Sequence, residues 1–298
     1  MAGSSSSRSH FDLAWQSPLP GQGVRGIDLA ALTVVPLVLV AVFLLPMSVR
    51  RSLAFDYAEP TLLTAAVAPY VHLEWSHLLV NVIGYLIVAP TAYLLSVASS
   101  HRTRFFAAFA TFLLVFPPVL SYLNLAAVRS ASGLGFSGIV LAFVGYLAFA
   151  IAEHMQVNLR IGPAWSTGGS LFFLGFAIAA PLSVRSVTVD RATVALGIGG
   201  LVLATLLSAL LFALVAAETE SLGRRLRLAT ANRGSFELGV VGTVVFLLFQ
   251  FVAFPADPTG NGSTLNLYTH LLGYALGFMV TFVTVHVVSR FEAERQLI

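Results

Sequence analysis

The chain contains no cysteine and no lysine. Without cysteine there is no disulfide, no thiolate nucleophile and no cysteine-based zinc site. All sixteen basic residues are arginine, which lifts the isoelectric point to about 9.5 although the net charge is only +3. These arginines sit in short segments between apolar runs rather than in one basic stripe, so no nucleic-acid partner is expected. Charge of either sign is scarce: 10% of 298 residues, against roughly a quarter in an ordinary soluble domain. A water-facing shell cannot be built from so few charges. No His-Glu-x-x-His occurs and no aspartate lies in the middle of an apolar run, which argues against zinc and aspartyl peptidase chemistry inside a membrane. No apolar run precedes Ile27, so no conventional signal peptide is expected.

Apolar residues are abundant instead, at 57% of the chain with a mean hydropathy of +0.88. Eight runs have the length a membrane-crossing helix needs. They are Ile27–Met47, Trp75–Val97, Arg104–Val128, Leu134–Ala152, Ser166–Val184, Ala192–Ala217, Phe236–Phe254 and Thr264–Val288. The predicted fold class is an all-α polytopic membrane bundle, since a lipid-exposed backbone must satisfy its own hydrogen bonds and these runs are too long for barrel strands. Residues 1–26 read as a flexible cytoplasmic segment, 27–288 as the membrane domain and 289–298 as a short tail. With the N-terminus inside, eleven arginines fall on the cytoplasmic side and five outside. That bias predicts both termini cytoplasmic in a multi-pass protein of the cell membrane, with Arg50 and Arg51 on the wrong side.

Strongly polar groups inside such helices are costly and mark candidate sites. His77 and Asn81 are four apart at the start of the second run, on one helical face, with His72 just outside. Ser132-Gly-Leu-Gly135-Phe-Ser137-Gly138 opens the fourth run. Its mechanical match to a dinucleotide fingerprint fails for want of a preceding strand, and a nucleophile elbow would need glycine two residues after the serine. It reads either as a small-residue packing surface or as a serine at a helix start, where unpaired N–H groups could hold an oxyanion. His270, Gly273 and Gly277 form one stripe on the last run, where the glycines admit another backbone. All three clusters begin even-numbered runs and so enter from the extracytoplasmic side, with Ser137 and His270 roughly 5–9 Å deep. A serine, a histidine and a His/Asn pair at one level supply a nucleophile, a base and oxyanion donors. With no carboxylate at that depth, a dyad is expected rather than a triad.

These residues resemble the rhomboid intramembrane serine proteases. The family pattern His-x4-His-x3-Asn is similar to His72, His77 and Asn81; Gly-x-Ser-Gly is similar to Gly135-Phe-Ser137-Gly138; His-x2-Gly-x3-Gly is similar to His270, Gly273 and Gly277. The resemblance spans roughly Leu53 to Val288. It implies a rhomboid-like bundle with Ser137 as nucleophile and His270 as its base. The oxyanion hole would be made by the Ser137 N–H with His77 and Asn81, and His72 would hold its outer rim. It further implies single-span membrane proteins as substrates, the lipid bilayer as surroundings, and neither cofactor nor metal. Three features depart from the family. Three runs separate the serine and histidine helices instead of one, Leu141 stands where an aromatic often packs on the histidine, and the Trp-Arg pair of the first loop is missing. The alternative reading is a catalytically inert rhomboid-like protein that binds membrane clients. A transporter would call for broken helices and buried carboxylates near the midplane, and neither is seen.

Overall fold

The structure, a computed structural model, describes residues 23–126, 132–184, 191–217, 234–255, 259–260, 263–264 and 266–295, with isolated helical positions at 223, 227 and 230. Most of the expected cytoplasmic segment, and Arg8, Arg129, Arg185, Arg224, Arg225 and Arg233 of the orientation count, lie outside the described residues. In chain order the helices are α1 (Gly26–Phe43), α2 (Met47–Ser52), α3 (Leu62–Val67), α4 (Trp75–Ala98), α5 (Arg102–Leu114) and α6 (Phe116–Leu123). They continue with α7 (Ser137–His154), α8 (Ala164–Val184), α9 (Arg191–Ala217), α10 (Ser235–Ala253) and α11 (Leu267–Arg295). Among the described residues the strands are two-residue pairs: β1 (Phe55–Asp56) with β2 (Ser132–Gly133), and β3 (Thr259–Gly260) with β4 (Ser263–Thr264), both antiparallel.

Among the described residues five helices are long and apolar enough to cross a membrane: α1, α4, α7, α10 and α11. A sixth span results if α5 and α6 are taken as one broken span, bent by 50°. Two shorter apolar stretches, Ala164–Ala179 and Gly197–Leu210, belong to α8 and α9. The chain is thus a mostly helical, multi-pass membrane protein by the length and composition of its helices.

Proline sets several of the departures from the expected boundaries. The first run ends at Phe43 because Pro46 follows, and α2 begins just beyond it. Within α1, Pro36 cannot donate to the carbonyl of Leu32, and the Tyr85 hydroxyl of α4 donates to that oxygen instead at 3.0 Å. The expected single helix Arg104–Val128 is broken at Val115, ahead of Pro117 and Pro118. There the Leu113 carbonyl, which Pro117 cannot serve, accepts the Tyr70 hydroxyl at 2.5 Å. Burial pushes the Tyr70 phenol up to about 12, so that group stays protonated and able to donate. The last helix also runs past the expected Val288, to Arg295.

Helix α7 lies at the centre. Its most apolar window is 94% buried, against 22% for α1 and 33% for α11, so α7 is the most enclosed of the five. It is enclosed by α4, α5, α8, α10 and α11. At its C-terminal end Glu153 accepts from Arg104 and sits 3.2 Å from His101 Nδ1. Nearby, Asp28 of α1 accepts from Arg102 and from the Tyr93 hydroxyl. Charge-assisted bonds of this kind tie α1, α4, α5 and α7 together at one end of the bundle, leaving the N-termini of α4 and α7 at the other.

Candidate active site

The N-terminal ends of α4, α7 and α11 meet at that other end. Strand β2 leads into α7 and pairs with β1, and the Gly135 N–H donates to the Ala68 carbonyl at 3.2 Å. Gly135 has φ +103°, a conformation that favours glycine, and any Cβ there would lie 2.5 Å from the His77 ring. The helix therefore starts at Ser137 rather than at the expected Leu134, with the extended lead-in pressed onto His77. Ser137 is half-buried at the first helical position, where its N–H has no intrahelical partner.

Small residues bring α11 onto α7. A Cβ on Gly273 would strike the Gly138 carbonyl, one on Gly277 the Ala142 carbonyl, and one on Gly145 the Tyr274 carbonyl. Such contact between backbones is the known use of small residues in membrane helices. It places the turn bearing His270 beside the turn bearing Ser137 and Gly138. The His270 ring is 3% exposed. Its Nδ1 donates to the Ala253 carbonyl at 2.7 Å, at the end of α10, and Phe254 meets the ring edge-on at 6.0 Å. That bond leaves the lone pair on Nε2, which is buried and has no hydrogen-bond partner among the described residues. This is the tautomer a general base requires. Ser137 and His270 do not hydrogen-bond to each other here; such contacts are commonly long in resting enzymes and tighten with substrate.

His72, which the resemblance implies helps hold the outer rim of the site, is fully buried. Arginine explains why. Arg50 donates to the carbonyls of Leu45 at 3.1 Å, His72 at 2.7 Å and Leu73 at 3.3 Å, and lies 4.4 Å over the Phe43 ring. The arginine that ran against the orientation bias thus pins the loop inward. There His72 Nε2 accepts from Asn81 Nδ2 at 2.8 Å and from the Phe136 N–H at 3.4 Å, so it joins the α4 donor face to the residue before the serine. His77 packs edge-on to His72 with ring centroids 4.9 Å apart. One N–H of Asn81 is spent on His72, which leaves the second for any other acceptor.

Burial first, and then the neighbouring His77, push the His72 imidazole down to about 3 from its ordinary 6.5. The unfolded chain therefore binds a proton that the folded one refuses, and stability falls as pH drops from 6.5 toward 3, by at most about 1.4 kcal/mol per unit from this group. Melting temperature is expected to decline between pH 7 and pH 5, and less steeply in His72→Gln, whose amide oxygen can still accept. An equal slope in the variant would remove His72 from the account.

Three features escaped the sequence. The Ala253 carbonyl that orients His270 has no side-chain signature. Phe254 supplies the ring contact that Leu141 cannot, from just past the end of α10. Gln250 is fully buried beside Tyr274, with both amide atoms unpartnered among the described residues. A lone amide in an apolar run carried the same signal as Asn81. No protein-family model matches the chain, and neither a curated protein nor a solved structure is similar enough to it to establish a relationship.

Proposed function

We propose that the protein is an intramembrane serine endopeptidase that cleaves transmembrane segments of single-span membrane proteins. Ser137 attacks the peptide carbonyl and His270 takes its proton. The Ser137 N–H, His77 and Asn81 face the oxygen that becomes negative. In this reading the bundle is rhomboid-like, α8 and α9 complete eight spans, and the site opens to the extracytoplasmic side with both termini cytoplasmic.

The observation that carries the reading is the state of His270. A buried imidazole with one nitrogen committed to a backbone carbonyl and the other without a partner among the described residues is costly, and the turn that bears it packs on Gly138, next to a serine at a helix N-terminus. Oxyanion-type donors stand on the same side. The test is labelling by a fluorophosphonate probe. Wild type is expected to be labelled and Ser137→Ala to be silent; labelling that persists in Ser137→Ala would end the reading. The second reading, an inert client-binding protein of the same fold, draws on the absent Ser137–His270 hydrogen bond, and an unlabelled wild type would favour it.

Orientation has its own test on this cysteine-free chain. Cysteines introduced at Ser5 and at Gly260 should react with impermeant reagents from opposite sides of the membrane. Reaction of both from one side would overturn the topology and with it the shared extracytoplasmic site.

A further inference from the structure

We propose that Asn124 is a positioning residue for the Ser137–His270 pair, clasping the first turn of α11 against the start of α7. This rests on the peptidase reading above. Asn124 lies just beyond α6, is 3% exposed, and is bonded at both ends of its amide. Its Oδ1 accepts from Asn266 Nδ2 at 2.8 Å and from Thr269 Oγ1 at 2.9 Å, and its Nδ2 donates to the Leu120 carbonyl at 2.7 Å. Asn266 in turn accepts the Thr269 N–H on its own Oδ1 at 3.2 Å, so the clasp is continuous with the start of the helix.

Thr269 is the hinge of the argument. Its hydroxyl belongs to the clasp, while its methyl packs on the serine motif: a Cβ on Gly138 would lie 2.7 Å from Thr269 Cγ2 and 3.1 Å from Leu120 Cδ1. His270 is the next residue. The same turn of α6 is tied elsewhere, with Ser121 Oγ donating to the Ala65 carbonyl at 2.9 Å. Asn124 thus links a buried, braced turn to the residue that packs on Gly138, next to Ser137, and immediately precedes His270. The His270 ring is aimed separately, by Ala253. The clasp sets where the helix bearing it begins.

A positioning role differs from a merely structural one in which part of a labelling curve it moves. With the fluorophosphonate on purified full chain, Asn124→Ala and Thr269→Val should each slow the labelling of Ser137, by about 10–100-fold for Asn124→Ala, the cost of a misplacement near 1 Å. Both should reach the wild-type endpoint. The double variant should be no slower than Asn124→Ala alone, because the two groups form one bond. Asn124→Asp keeps an oxygen for both donors but loses the donor to the Leu120 carbonyl, and should recover part of the lost rate. Labelling of Asn124→Ala at the wild-type rate overturns the proposal. So does a reduced endpoint reached at the wild-type rate, which marks lost folded protein rather than lost alignment. A wild type that does not label at all removes the peptidase reading and the clasp's role together, whereas a labelled wild type indifferent to Asn124 removes the clasp alone.

Discussion

Ser137→Ala and His270→Ala are each expected to abolish cleavage of a transmembrane reporter, with a fall of about 10⁴–10⁶-fold. A serine hydroxyl attacks a peptide carbonyl poorly unless a neighbouring base receives its proton. His270 is fitted for that step, with Nδ1–H held by Ala253 and Nε2 bare. No carboxylate partner is needed to fix the tautomer, since a backbone carbonyl already does so. The Ser137→Ala/His270→Ala double variant should be no worse than either single, because residues that act as a unit are not additive. Both single variants should remain folded: alanine is a strong helix former, and the helix contacts run through Gly138, Ala142 and Gly145, not through the serine hydroxyl. Full-rate cleavage by His270→Ala would exclude the dyad.

The second large effect should come from adding a single methyl group. Gly273→Ala places a Cβ against the Gly138 carbonyl, a backbone atom that cannot swing aside as a side-chain end could. Helices α7 and α11 must then separate, at a cost of about 1–3 kcal/mol as for other overpacked contacts, and the turn carrying His270 moves with α11. Activity should fall by about a hundredfold or more, together with a lower melting temperature. Gly169 provides the control, because nothing lies within 4 Å of a Cβ there. Gly169→Ala should leave melting unchanged or raise it slightly, since alanine favours a helix interior over glycine by about 1 kcal/mol. Equal behaviour of the two variants would mean that the α7–α11 contact tolerates expansion.

The parts of this site legible in the sequence are those written as polar or small residues in apolar surroundings. His77, Asn81, Ser137 and His270 stood out because hydrocarbon makes each of them costly. Gly273 and Gly277 stood out because, with His270, they recur along one helical face. Helix positions followed from run length, yet their ends did not: Pro46 and Pro117 stop or bend helices that hydropathy alone extends. Arg50 was visible only as an exception to a charge bias, since its job, gathering three carbonyls, depends on a loop that folds back on it. Asn124, Asn266 and Thr269 lie about 140 residues apart in two segments, and nothing local announces that they meet. Backbone groups such as the Ala253 carbonyl leave no trace in composition at all.

The two tyrosines that serve proline-orphaned carbonyls bear on how parts of the protein are coupled. A span carrying Pro36 or Pro117 enters the bilayer with one backbone oxygen unserved, and hydrocarbon offers it no donor. For α1 the donor, Tyr85, stands on the next long helix, α4. For the bent pair the donor is Tyr70, which is already synthesised when α5 emerges, but it stands on a 3-10 turn (Ala68–Tyr70) in the loop ahead of α4. The bend between α5 and α6 and the loop ahead of α4 are thus coupled through one hydrogen bond: each is fully served only where the other is in place.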